Sequence, residues 1–392
     1  MPIVARLGRL TLLFLAHAVG TANITLVLAM APVVERELGL SHTAFGLIVA
    51  TYYGALTLWA LPAGWLVDRL GIRFSLIAAQ VLLAIGMLIV AASQGVRSAA
   101  IGLALCGTGY ALVNPATARG VLMWFPTRGR ATAMGMKQTG VPAGAVAIAL
   151  VAAAGGEAWR DLALILAGVT LVAAVGFAAL GTAGPPIGTL TSMADMRRLL
   201  RRSTLAWFNA AACLYAAAQS ALFAYLVLFV HEVVGASVTL ASLCLAMAHA
   251  ASAIGRIGWG LVGDLLPRHG RWVGLIACGI LGGFGVALLA AMPAHVAVAG
   301  ALAVAGFLGF TVGGYAALAQ TTTVEVVEPQ LAGAAIGYNM LLTTTGSMLG
   351  PALFGFGLDQ SGFATSWSIV AIILLIGAAL FLVGFRAHQW SR

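Results

Sequence analysis

Apolar residues fall in long continuous runs. Short polar breaks, often marked by glycine or proline, divide them into twelve segments near residues 10–34, 43–67, 74–93, 98–125, 131–154, 160–181, 204–231, 237–262, 272–292, 295–322, 331–357 and 364–386. Each is long enough for an α-helix that crosses a bilayer, which takes about 20 mainly apolar residues. The runs do not alternate apolar with polar, as the strands of an outer-membrane barrel do over about ten residues. The expected fold class is all-α, a membrane protein of twelve transmembrane helices. The first run follows Arg6 and Arg9 as a secretory leader would, but at about 25 residues it exceeds the apolar core of a cleaved leader.

Composition closes off most other classes. Of 392 residues, 61% are hydrophobic and 8% charged, with a mean hydropathy of +1.03. Twelve spans use about 240 residues, so no soluble catalytic domain fits in the remainder. The four cysteines, Cys106, Cys213, Cys244 and Cys278, fall inside spans without C-x-x-C spacing and read as small apolar packing residues. No H-E-x-x-H, G-x-S-x-G or phosphate-binding loop occurs. The protein is expected not to be an enzyme, and no catalytic residue, metal or cofactor is expected.

The net charge of +9 changes the picture only through its placement. With both termini inside, Arg6, Arg9, Arg69, Arg73, Arg128, Arg130, Arg197, Arg198, Arg201, Arg202, Arg268, Arg271, Arg386 and Arg392 face the cytoplasm, against Arg36, Arg97 and Arg160 outside. That bias is the topology signal of membrane proteins rather than a nucleic-acid surface. Arginine supplies every basic residue but Lys137, a usage that points to a GC-rich genome and a bacterial inner membrane.

The longest polar gap, 182–203, reads as a cytoplasmic linker between an N-terminal bundle, 1–181, and a C-terminal bundle, 204–392. An internal repeat supports this division. Gly64 and Asp68 after span two are matched by Gly260 and Asp264 after span eight, both 196 residues later. Parallel six-helix repeats belong to one large class of secondary transporters, which hold substrate near the midplane between the halves.

On these residues the chain resembles the major facilitator superfamily along its whole length. That family's loop signature, G-x-x-x-D-R/K-x-G-R/K-R/K, is matched at Gly64, Asp68, Arg69, Gly71 and Arg73, with Phe74 at the last basic position. The second copy keeps Gly260, Asp264, Arg268 and Arg271, with Leu265 in place of the first basic residue. The resemblance implies two pseudo-symmetric six-helix bundles, transport by alternating access, and a cytoplasmic gate built on these loops. In physical terms, Gly64 and Gly260 would allow close helix approach. Asp68 could pair with Arg128 or Arg130, and Glu325 and Glu328 could supply acid in the second half. A purely topological role for the same charges is the alternative.

In the span interiors lie three cations, Arg119, Lys137 and Arg256, and no acid. Intramembrane charge is expensive and marks functional sites, so the set implies an anionic ligand or a wet cavity. The alternative is snorkelling, since each cation lies about 9 to 12 Å from a helix end. Arg256 is the first candidate. His249, Ser252 and Arg256 share one helix face, and the guanidinium fork suits a carboxylate. The stretch from Arg256 to Asp264, and Trp124-Phe125-Pro126-Thr127-Arg128-Gly129-Arg130-Ala131, are similar to the corresponding segments of oxalate and monocarboxylate transporters. The match is incomplete. Ser252 stands where proton-coupled monocarboxylate carriers have an acid, and span one has no lysine. Lys137 shares a face with Gly140 and Gly144, which turns it toward neighbouring helices. Asn23, Tyr110, Asn114, Gln138, Gln219 and Asn339 are the neutral polar residues that could complete a substrate site; interhelical hydrogen bonding is the alternative for each, and the favoured one for His17.

The expected function is secondary active transport of a small organic anion, a carboxylate. The alternative is a proton-coupled multidrug or metabolite efflux antiporter, although Leu103 occupies the position of the span-four arginine typical of drug antiporters. Expected partners are the anion, a proton or counter-anion, and the lipid bilayer, with no nucleic acid and a monomeric state.

Overall fold

In hydrocarbon every backbone N–H and C=O needs a partner within its own segment, and a helix supplies one. The computed structural model meets this demand and describes residues 3–126, 130–178, 180, 199, 201–266, 269–293, 297–328 and 331–390. Among them run fourteen helical segments and no strand. They are α1 (Ile3–Ala29), α2 (Ala31–Leu38), α3 (His42–Trp59), α4 (Pro62–Ala91), α5 (Val96–Trp124), α6 (Arg130–Gln138) and α7 (Gly140–Gly155). There follow α8 (Trp159–Phe177), α9 (Ser203–Glu232), α10 (Val238–Leu265), α11 (Gly270–Ala290), α12 (Val298–Thr311), α13 (Ala316–Glu325) and α14 (Ala332–Trp390).

Ten of the described helices are long and apolar enough to cross a membrane. The last, α14, has 59 residues. Unbroken, it would extend about 90 Å, against a hydrocarbon core of about 30 Å. It folds back at Gly362, whose φ of 77° is a backbone state that a side chain disfavours. The Phe354 and Trp367 rings meet across that turn, with centroids 4.3 Å apart. Gly71 has the same φ inside α4, so residues 62–70 continue span two and residues 72–91 form span three. Dividing α14 and adding α3, which continues into residues 62–70, recovers the twelve spans expected from the apolar runs. Pro32, the Thr139 break and residues 312–315 interrupt spans one, five and ten, which explains why fourteen segments make twelve passes.

Close packing separates the chain into two units, Met1–Leu40 with Leu47–Gly188, and Ser41–Gly46 with Thr189–Arg392. The segment expected as a linker, 182–203, lies mostly outside the described residues. In the first unit α4 packs on α5 and α8, and α1 packs on α7, α5 and α8. In the second, α9 and α11 pack on α14, and α10 packs on α12.

The repeat seen in the loops extends into the packing. Gly39 and Gly235, 196 residues apart, both adopt positive φ, and each stands three residues before a helix start, His42 and Val238. In the first unit a Cβ on Gly140 or Gly144 would strike the backbone carbonyl of Phe14 or Ala18. In the second, a Cβ on Gly346 or Gly350 would strike that of Cys213 or Ala217. The same G-x-x-x-G step therefore brings span five onto span one, and span eleven onto span seven. Gly64 and Gly260 do not share this role, because a Cβ on either would meet nothing within 4 Å. In the first signature the glycine that geometry demands is Gly71.

This predicts a contrast in stability. Gly144→Ala should destabilise by about 1 to 3 kcal/mol through overpacking, whereas Gly64→Ala should change stability by under about 0.5 kcal/mol. Thermal unfolding of the two variants in one detergent checks this; equal midpoints would contradict it.

Candidate functional site

The first unit gathers polar side chains around Lys137. Residue 137 lies in the last turn of the short helix α6, and Gly140, three residues on, lies so close to α1 that a Cβ there would come within 3.0 Å of His17 Cβ. The glycine step thus delivers Lys137 to His17. Tyr110, Asn114 and Thr117 share one face of α5 at i, i+4 and i+7 and complete the cluster. Both Lys137 and His17 are buried. The Lys137 ammonium donates to Asn114 Oδ1 at 3.0 Å and Thr117 Oγ1 at 3.1 Å, and lies 3.4 Å from His17 Nε2. Gln138 Nε2 donates to Asn114 Oδ1 at 3.3 Å. His17 Nε2 is 2.9 Å from Thr117 Oγ1, and its Nδ1 is 3.4 Å from the Tyr110 hydroxyl. That hydroxyl is 3.1 Å from Thr21 Oγ1.

Among the described residues the side chains that hydrogen-bond with Lys137 are those of Asn114, Thr117 and His17, and none is an acid. Of the site residues expected from sequence, the structure brings Lys137, Asn114 and Tyr110 together. Asn23 is buried apart from them, donating to Val19 O at 2.6 Å. Thr117 and Thr21, which the sequence reading does not name, belong to the cluster, and so does His17, for which it favours a structural role. Their signal was the i+4 spacing of His17 and Thr21, which gains meaning only once spans one, four and five are known to meet.

Arg119 has a different place. It is 7% exposed and donates through Nη1 to Asp68 Oδ1 at 2.7 Å and to Val67 O at 3.2 Å. It is the partner of the first signature's acid, in place of the expected Arg128 or Arg130. Arg130 donates through Nε to Phe125 O at 3.0 Å, and Arg128 lies outside the described residues. Arg69 stacks 3.7 Å over Trp65 and Arg73 lies 5.6 Å over Phe74. In the second unit Arg271 joins Asp264, at 3.0 Å, to Glu325, and Arg202 pairs with Glu328. Arg268 lies outside the described residues.

The second unit has its own polar group at the break in span ten. Residues 312–315 leave the α-helical path, and their carbonyls take up side-chain donors: Gln219 Nε2 reaches Val312 O at 2.9 Å, and Ser252 Oγ reaches Gly313 O at 2.9 Å. Ser252 lies between His249 and Arg256 on α10. His249 stacks on Phe223 with centroids 4.2 Å apart, and its Nε2 is buried without a hydrogen-bond partner. Asn339 is elsewhere in this unit, donating to Asn209 Oδ1 at 2.8 Å.

Residues 13–339 match the family model described as Major Facilitator Superfamily. The chain belongs to the Major Facilitator Superfamily. It is 28% identical to a hexuronate transporter of Bacillus subtilis, over 95% of this chain and 93% of that one. It is 30% identical to monocarboxylate transporter 11 of Mus musculus, over 82% of this chain and 75% of that one. Among solved structures it resembles a bacterial homolog of the human lysosomal transporter Spinster, with a TM-score of 0.82 at 17% identity, over 99% of this chain and 98% of that one. The superfamily carries the fold and the role of membrane transporter to this chain, a multi-pass integral membrane protein.

The Asp68–Arg119 pair yields a stability test. Arg119→Gln should cost about 1 to 3 kcal/mol, because it removes a charge-assisted pair with one buried member. Arg69→Gln, which loses only a surface stacking contact, should cost under about 1 kcal/mol. Thermal unfolding of the two variants decides it, and a larger loss for Arg69→Gln would refute the latch.

Proposed function

We propose that the protein is a secondary transporter that moves a small organic anion, a carboxylate, across the membrane by alternating access. The observation that carries this reading is Lys137: a buried lysine in a membrane-spanning segment whose hydrogen-bond partners among the described residues, Asn114, Thr117 and His17, include no acid. An intramembrane cation held without an acid at hand is complementary to an anion. Arg256 extends the same reading to the second unit, on a helix face with His249, whose Nε2 is an open donor or acceptor. A guanidinium fork binds a carboxylate through two parallel hydrogen bonds. Two similar proteins are named for hexuronate and for monocarboxylates, both carboxylate classes. Asp68, Arg119, Asp264, Arg271 and Glu325 read as gate charges: each pair has at least one partly exposed member, so that it can separate and re-form during a cycle.

Uptake of labelled D-glucuronate, pyruvate, lactate, oxalate, succinate and nitrate into proteoliposomes tests the proposal. Saturable uptake of at least one carboxylate is expected. Arg256→Gln should lower it about 10- to 100-fold, the worth of one hydrogen bond to a charged group, with unchanged membrane insertion. Unchanged uptake by Arg256→Gln would remove that residue from the site. Accumulation of lipophilic cations in place of every anion would favour efflux antiport.

A further inference from the structure

The Lys137 cluster has features that anion binding alone does not use. The three acceptors around the ammonium match its three N–H donors, yet one of them is an imidazole. Helix α1 contributes His17 to the surroundings of α6. Helix α5 contributes Tyr110 and Arg119, the latter committed to Asp68. Helix α7 has no titratable side chain. Tyr52, packed beside Tyr110 with centroids 6.2 Å apart, is the next titratable group outward. No acid among the described residues touches Lys137, so a proton exchanged here exchanges on nitrogen.

His17 is placed to pass that proton. The Thr117 hydroxyl can give its hydrogen to Val113 O at 2.8 Å, which frees its lone pairs to accept from His17 Nε2. With hydrogen on Nε2, the ring donates to Thr117 and accepts at Nδ1 from Tyr110. With hydrogen on Nδ1, the ring donates to Tyr110 and accepts at Nε2 from Lys137. Each neutral tautomer has a partner on both sides, so the ring can change tautomer where it stands.

We propose that Lys137 and His17 form a proton-binding and relay element, so that the carboxylate crosses together with a proton held on Lys137 and released through His17. The proposal rests on the organic-anion reading above. While the anion is bound, its charge holds Lys137 as the ammonium. Once the anion leaves, the lysine N–H bond breaks and a bond from that hydrogen to His17 Nε2 forms. The imidazole gives its Nδ1 hydrogen to Tyr110, whose own hydroxyl proton passes to water. The lysine is then a neutral amine, and the empty carrier returns without an uncompensated charge in the membrane. By linkage, proton and anion each strengthen the binding of the other.

The test uses proteoliposomes with a trapped pH indicator and labelled D-glucuronate and pyruvate as probes. Wild-type protein should acidify the lumen as it takes up a probe. In His17→Gln, accumulation driven by an acid exterior should fall at least about tenfold, and the lumen acidification per anion taken up should fall with it. Wild-type uptake with no proton movement overturns the proposal and leaves the anion reading standing. A His17→Gln protein as well coupled as wild type overturns the relay. If wild type carries neither probe, the anion reading is what fails, and a substrate-free measurement decides the relay. Lys137 is the only lysine in the chain, so protein labelled with 15N-lysine in lipid nanodiscs gives a single side-chain signal. That signal should respond to pH, and the response should differ in His17→Gln; identical responses overturn the relay, whether or not the variant is active.

Discussion

Holding a cation inside the membrane is the constraint that organises this protein. Moving an ammonium away from water costs several kcal/mol even after relaxation, and only a few are returned by hydrogen bonds to neutral acceptors. Lys137 nevertheless sits among Asn114, Thr117 and His17, with no acid beside it among the described residues. On the proposed reading an anion that arrives with the cycle completes this arrangement, and a proton that leaves removes the charge altogether. The two solutions belong to one device, since the first favours the charged form and the second disposes of it.

Backbone packing makes that device possible. Gly140 and Gly144 press span five against span one, and the helix break at Thr139 then turns Lys137 toward His17. The second unit repeats the step with Gly346 and Gly350 against span seven, but without an equivalent lysine. Its cation, Arg256, lies instead on α10 beside the break in span ten. The architecture is repeated while the chemistry is not. Away from the polar clusters, Arg119 closes on Asp68, and Arg271 gathers Asp264 and Glu325. These pairs are partly exposed, and the modest strength of wet ion pairs is what a reversible latch needs.

Much of this is legible in the sequence. The apolar runs locate every span, because hydropathy at this scale answers directly to the bilayer, and the 196-residue repeat in Gly64 and Asp68 already marks two copies of one unit. The role of Arg119 was not legible. Its distance from a helix end is the same in kind as that of Lys137, and only folding shows that span two brings Asp68 to it. The part of His17 is hidden for the opposite reason: a single histidine in an apolar helix carries no pattern of its own and reads as structural. Its meaning comes from three helices converging, which no local spacing records. Gly64 misled in a third way. A glycine in a helix can mark close approach or a turn nearby, and here the turn at Gly71 is the one that demands the residue.

The measurement that tests the account most directly is equilibrium binding of labelled D-glucuronate and pyruvate to the purified protein, wild type against Lys137→Met. Methionine fills the same space without the charge. The account predicts saturable binding of at least one anion by wild type and a loss of at least about tenfold in affinity in the variant, the worth of one charge-assisted contact. Equal binding by the two proteins would show that the buried lysine is not what receives the anion, and would contradict the central claim.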